Sequence, residues 1–259
     1  MIPAALASND RRTAGIGSAP RLALLLAVAF AATPFFPPPA VAGSKVGTLS
    51  GHVRFEGTPP PRPKITMTAD PACDKLYPDG QEAEMVVVDP SSGGLANVLV
   101  YVKSGLDKDY RAPAPTGNVF IDQKRCAYVP HVVGVRAGQE IEFRNSDQTL
   151  HNVNARTAAN KPFNQAMFGA GSTMARTFDQ PEVAVKLKCD IHPWMAAYVG
   201  VFDHPFFAVT AADGSFSIPG LPEGEYVIEA WHESLGTRTA KVEIEGGGDS
   251  RADFSFAGN

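Results

Sequence analysis

Short runs of β-branched and aromatic residues recur along this chain, each closed by Gly, Pro, Asn or Asp. Residues 98–102, 118–121, 132–135, 140–143, 183–187, 198–202, 215–218 and 226–230 are all of this kind. Such residues suit a pleated, half-buried surface, and turn residues at both ends keep each run short. No stretch carries the 3.6-residue apolar period of a long amphipathic helix. The expected fold class is therefore all-β, arranged as sandwiches or barrels.

The first 42 residues differ in character. Arg11, Arg12 and Arg21 precede an apolar run over 22–32, and Ala40-Val41-Ala42 follows a proline-rich stretch. A basic region, a short apolar region and a small-residue site read as a cleaved secretory signal over 1–42. The apolar run is shorter than the roughly 20 residues a spanning helix needs, although an uncleaved anchor is the competing reading. Export to the periplasm or the extracellular space is expected, with no membrane span after cleavage. Removing the leader's three arginines and one aspartate from the 23 basic and 27 acidic residues leaves a net charge of −6. That balance favours solubility and argues against nucleic acid as a partner.

Three blocks divide the rest. Residues 43–85 hold a first strand and a proline-rich segment that reads as linker or sheet edge. Residues 86–203 hold the chemistry, and 204–259 form a further β block punctuated by turns at Asp213-Gly214, Pro219-Gly220 and Pro222-Glu223-Gly224.

The chemistry centres on Cys189-x2-His192-Pro193-Trp194-Met195. Thiolate, imidazole and thioether are soft or borderline ligands, and two His, one Cys and a weak axial Met are the set of a blue-copper electron-transfer site. A second His is needed from elsewhere. His151 supplies the candidate. It follows Pro130-x-Val132-Val133-x-Val135-x-x-Gly138-x-x-Ile141-x-Phe143-x-Asn145, two alternating strands joined by a turn at Gly138, and it precedes Asn152. Zinc is the rival metal, but it favours closed Cys/His sets, and thioether suits it poorly.

In this order and spacing the block resembles the cupredoxins, the small blue-copper proteins, over roughly one domain's length. Its tight ligand loop is most like that of the amicyanin type. The resemblance implies a Greek-key β-sandwich holding one type 1 copper. His151, Cys189 and His192 would be its strong ligands and Met195 the weak axial one. It implies further that Asn152 ties the two ligand loops together near the Cys189 sulfur. Pro193 would stiffen the turn, and with Trp194 would form an apolar collar around His192, the expected electron port and docking edge.

The function these features imply is single-electron transport between redox protein partners. The alternative is a copper carrier, or a binding or adhesion module that uses the same fold as a scaffold. An enzyme is not expected. The chain has no His-x-His pair for an oxygen-reducing cluster, and no second Cys beside Cys189 for a binuclear site. His131, His204 and His232 could converge on an accessory metal, although structural roles are the simpler reading.

There are three cysteines. If Cys189 is a metal thiolate, Cys73 and Cys126 are free to form a disulfide in an oxidising compartment, while spacing alone leaves other pairings open. The 204–259 block resembles the carboxypeptidase regulatory-like, or transthyretin-like, sandwiches through Asp213-Gly214-x-Phe216 and Gly220-Leu221-Pro222-x-Gly224-x-Tyr226. The strand over 48–57 looks like the first strand of the same family. Both flanks are thus expected to build one second small sandwich, with the copper domain inserted between them.

Overall fold

The computed structural model describes residues 45–258, so the expected signal sequence over 1–42 lies outside the described residues. In chain order the strands begin with β1 (Val46–Glu56), β2 (Lys64–Ile65), β3 (Gln81–Glu82), β4 (Leu99–Ser104) and β5 (Val119–Lys124). They continue with β6 (Ala127–Val129), β7 (Val132–Arg136), β8 (Glu140–Asn145), β9 (Leu150–Arg156) and β10 (Phe163–Phe168). Then come β11 (Ser172–Thr177), β12 (Glu182–Lys188), β13 (Ala196–Phe202), β14 (Phe207–Val209) and β15 (Ser215–Pro222). The last are β16 (Gly224–His232), β17 (Gly236–Ile244), β18 (Asp249–Arg251) and β19 (Phe254–Ala257). The one helix among the described residues, α1, is the single turn Pro71–Asp74. The fold is all-β, as the punctuated runs predict.

Four sheets stack as two sandwiches. The metal-site sandwich pairs a five-stranded sheet, β10-β9-β12-β13-β7, with a four-stranded sheet, β11-β8-β5-β6. Between them lies a core that includes Ile121, Ile141, Phe143, Val153, Leu187 and Val199. The flanking sandwich sets β15-β1-β18, with β19 also on β1, against β14-β4-β16-β17. Leu49, Val53, Val100, Ile218 and Ile228 fill that core. Along β1 every second residue from Gly47 to Phe55 points inward, the period-2 pattern of a strand with one buried face.

The N-terminal strand does join the C-terminal block. β1 runs antiparallel to β15, with Leu49 opposite Ile218, and parallel to β19, with Val53 opposite Phe254. One expected boundary moves. β4 lies inside the block expected to start the copper domain at residue 86, yet it pairs with β14 and β16 of the flanking sandwich. The metal-site sandwich therefore begins at β5. The reason lies in β4 itself. Val100 and Val102 enter the flanking core, while Leu99 and Tyr101 enter a third cluster with Val132, Tyr198 and Phe202. A strand apolar on both faces carries no alternation to say which sheet owns it.

That third cluster is the contact between the sandwiches. Two glycines allow the sheets to approach. A Cβ at Gly200 would lie 2.3 Å from Leu99 Cδ2, and one at Gly134 would lie 2.4 Å from Phe207 Cδ2. Gly in a strand often marks such an approach.

The expected turn at Gly138 joins β7 to β8, and it carries the chain from one sheet to the other. β7 pairs in parallel with β13 in one sheet, and β8 sits between β5 and β11 in the other. Asn160-Lys161-Pro162 and Gly169-Ala170-Gly171 predict an irregular loop between them, but the stretch contains the strand β10, which pairs with β9 throughout its length. Its Asn-Gln-Ala-Met interior lacks the β-branched residues that signal a strand.

Candidate metal centre

Strand order places the predicted ligands together. β9 and β13 flank β12 in the same sheet, and the antiparallel β9–β12 register sets Asn154 opposite Lys188. Three residues back along β9, His151 comes alongside the loop that starts at Cys189. The loop closes on itself: Met195 N–H donates to His192 O at 2.9 Å, and Cys189 N–H donates to Met195 O at 3.2 Å. His192 N–H also points at Cys189 Sγ, 3.4 Å away.

The result is a convergent set of donors. His151 Nδ1 and His192 Nδ1 are 2.8 Å apart, and Cys189 Sγ is 3.8 Å from His192 Nδ1. One ligand atom from each of the three lies within 4.8 Å of the others. All three are buried: His151 and Cys189 are 0% exposed and His192 is 2% exposed. Met195 is buried in the same core cluster as Cys189.

Asn152 lies between the two ligand segments. Its Oδ1 accepts from Asp190 N–H at 2.7 Å and from the Cys189 thiol at 3.3 Å. Its Nδ2 donates to Asn164 Oδ1 and to Asp190 Oδ2. Tyr128 OH and Gln123 Nε2 both donate to Asn152 O, which fixes the backbone behind the ligands.

Each imidazole is held from behind by a carboxylate that the sequence did not reveal. His151 Nε2 is 3.0 Å from Asp147 Oδ2, and His192 Nε2 is 2.9 Å from Asp70 Oδ2. Such partners fix the tautomer and aim the other ring nitrogen at a metal. Asp147 also accepts from Arg125 N–H at 2.6 Å and Cys126 N–H at 2.7 Å. Those two residues form the β5–β6 turn with φ of 54° and 55°. A two-residue turn with both φ positive is normally Asn-Gly; here the Asp147 carboxylate supports Arg-Cys in its place. The run Asn145-Ser146-Asp147 was visible before His151, but four residues along an irregular turn carry no pairing rule. Asp70-Pro71 carries a helix-start signal, and Asp70 is indeed the N-cap of α1.

The electrostatics suit cation binding. Burial alone would lower the His151 imidazole, but its bonds to Asp147 and Cys189 raise it to about 9. Burial opposes ionisation of the Cys189 thiol as well, yet His151 and neighbouring N–H groups bring it below its ordinary value. His192 is lowered by burial and then by the charge on His151. In the metal-free pocket His151 favours its charged form, the Cys189 thiol ionises more readily than an ordinary thiol, and His192 leans toward the neutral imidazole. A cation can replace the proton between them. Two imidazole nitrogens and a thiolate in a dry pocket fit a borderline or soft transition metal.

Other expectations fare differently. Cys73 and Cys126 are joined as a disulfide, and Cys189 is the free thiol. Trp194 does pack on His192, with ring centroids 5.0 Å apart, and donates to Cys126 O. Pro193 is exposed beside it. The open His192 edge, however, is absent. Asp70 and the Cys73 sulfur, 3.8 Å from Nε2, cover it. None of the accessory histidines joins a metal-ligating group among the described residues. His131 pairs with Glu233, His204 with Val102 O, and His232 accepts from Ser234 and Leu235 N–H. No helix of the described residues is long and apolar enough to cross a membrane.

No family model matches the chain, and no curated protein does. Among solved structures, the copper-containing nitrite reductase of Thermus scotoductus SA-01 is similar at 22% identity and a TM-score of 0.32, over 38% of this chain. The chain spans 25% of that enzyme's length. Amicyanin from Paracoccus versutus is similar at 22% identity and a TM-score of 0.30, over 39% of this chain and 96% of its own. A purple cupredoxin from Nitrosopumilus maritimus is similar at 21% identity and a TM-score of 0.28, over 32% of this chain and 98% of its own. At these scores the likeness decides nothing about this chain's chemistry, which rests on the ligand geometry itself.

Proposed function

We propose that this chain is an exported, mononuclear type 1 copper protein that carries single electrons between redox protein partners. The observation that carries the reading is the convergence of His151 Nδ1, His192 Nδ1 and Cys189 Sγ at one buried point, within 4.8 Å of one another. His151, Cys189 and His192 would hold the metal, with Met195 as the weak fourth ligand. Bound there, copper would supply one-electron chemistry.

The chain's own groups do the rest. Asp147 orients His151, Asn152 donates and accepts around the loop that carries Cys189, and the strand ends of β9, β12 and β13 hold all of them rigidly. A pocket that does not rearrange with charge keeps the cost of electron transfer low. Burial excludes water and substrates, which favours a carrier over an enzyme. It also favours retention of the metal over its delivery to a partner, the competing role. The Cys73–Cys126 disulfide suits an oxidising compartment such as the periplasm.

Loading the purified protein with Cu(II) tests the reading. Intense visible absorption from Cys189-to-copper charge transfer is expected, with loss of that band in Cys189→Ala. A colourless Cu(II)-loaded wild type would overturn it.

A further inference from the structure

The segment that runs from Met67 to Tyr77 lies over the metal centre and is fastened along its whole length. Met67 is buried in the metal-site core. Asp70 accepts from Thr149 Oγ1 at 2.9 Å and from the N–H of Ala72 at 2.8 Å. Cys73 is bonded to Cys126. Arg125 donates to Leu76 O and stacks over the Tyr77 ring, and Tyr77 OH donates to Arg125 O. These ties end on the β5–β6 turn and on the residue before β9, both of which border the ligands. Between them the Asp70 carboxylate meets His192 Nε2 at 2.9 Å.

We propose that this segment is a disulfide-tied cap that seals the second imidazole, and that its Asp70 is the positioning residue that holds His192 with Nδ1 turned to the metal. The proposal rests on the metal-site reading above and adds a component to it. His192 Nε2–H donates to Asp70, so the tautomer left at Nδ1 is the one a metal needs. The tie also joins the two carboxylate supports: Cys73 follows Asp70 by three residues, while Cys126 N–H is bound to Asp147.

The test is ¹H–¹⁵N spectroscopy of the histidine side chains in the full chain, both metal-free and loaded with Cu(I). In the wild type, His192 is expected as the Nε2–H tautomer with slow solvent exchange. Asp70→Ala should speed exchange of that proton about tenfold or more, the size expected for losing a hydrogen bond to a charged group. The His151 Nε2–H, held by Asp147, should not change. Asp70→Asn keeps an acceptor and should restore much of the protection. Cys73→Ala/Cys126→Ala should expose the His192 proton as Asp70→Ala does, although Asp70 itself remains. Exchange equally fast in wild type and Asp70→Ala would overturn the proposal, and so would full protection without the disulfide. Should the variant without the disulfide not fold, the two Asp70 variants decide. If Cu(I) does not bind, the functional reading fails, while the metal-free spectra still judge Asp70.

Discussion

Removing the Cys73–Cys126 bond should destabilise the whole molecule. The two residues are 53 apart in sequence. Freeing a loop of that size returns about 14 cal/mol/K of entropy to the unfolded chain, about 4 kcal/mol near room temperature. For a chain of this length that corresponds to a fall of roughly 8–16 °C in Tm. The loop contains β4, the strand that belongs to both the flanking core and the contact between sandwiches, so the bond constrains both halves. The perturbation is Cys73→Ala/Cys126→Ala, since a serine hydroxyl at these fully buried positions would add a separate penalty. Cys189 then remains as the one thiol, so no other pairing can replace the lost bond. Urea unfolding of the metal-free proteins measures the difference. A loss below about 1 kcal/mol would show that the bridge adds little to what the strand pairing already enforces, and would refute the loop argument.

Other perturbations separate packing from charge. Gly200→Ala should cost about 1–3 kcal/mol in a denaturant titration, because the new Cβ meets Leu99 and Phe202; an unchanged midpoint would mean that the sheets can part freely. The His131–Glu233 pair predicts a pH window. Burial lowers His131, but Glu233 and Glu84 outweigh it and raise the net value, so this contribution is complete below the unfolded value of 6.5 and is lost as pH rises through the folded one. Glu233, raised by burial but lowered further by His131, contributes above 4.5 and loses that contribution as pH falls. The stability gap between wild type and Glu233→Gln should therefore be widest between those two values, and a gap independent of pH would contradict the pairing.

The sequence was most informative where chemistry is local. Cys189, His192 and Met195 sit in one loop, and a soft donor set at that spacing has few structural explanations. His151 needed a pattern over distance, and the alternating strands before it supplied one. Asp70 gave no such signal, because its bond to His192 spans 122 positions. A lone aspartate before a proline reads as a helix start, which it is, and that true local role conceals the distant one. The fold shows the same divide. Strands with one wet face, such as β1, show in their alternation. β4 and β13 are buried on both sides, so their uniform apolar character identified them as strands but could not assign them to layers. The turn motifs of the flanking sandwich shape its hairpins and carry no chemistry.

The position of β1 has a consequence for the order of assembly. Leu49 waits for Ile218, and Val53 waits for Phe254, partners about 170 and 200 residues downstream. The metal-site strands are complete by Phe202 and need no partner from beyond it. During vectorial emergence of the chain, the ligand pocket can close while β1 and β4 still expose unpaired, apolar edges. The outer sandwich then folds last, around a finished centre. Truncation before β15 would leave two sticky edges and an intact set of ligands, so such a fragment should aggregate through its flank while it still binds metal.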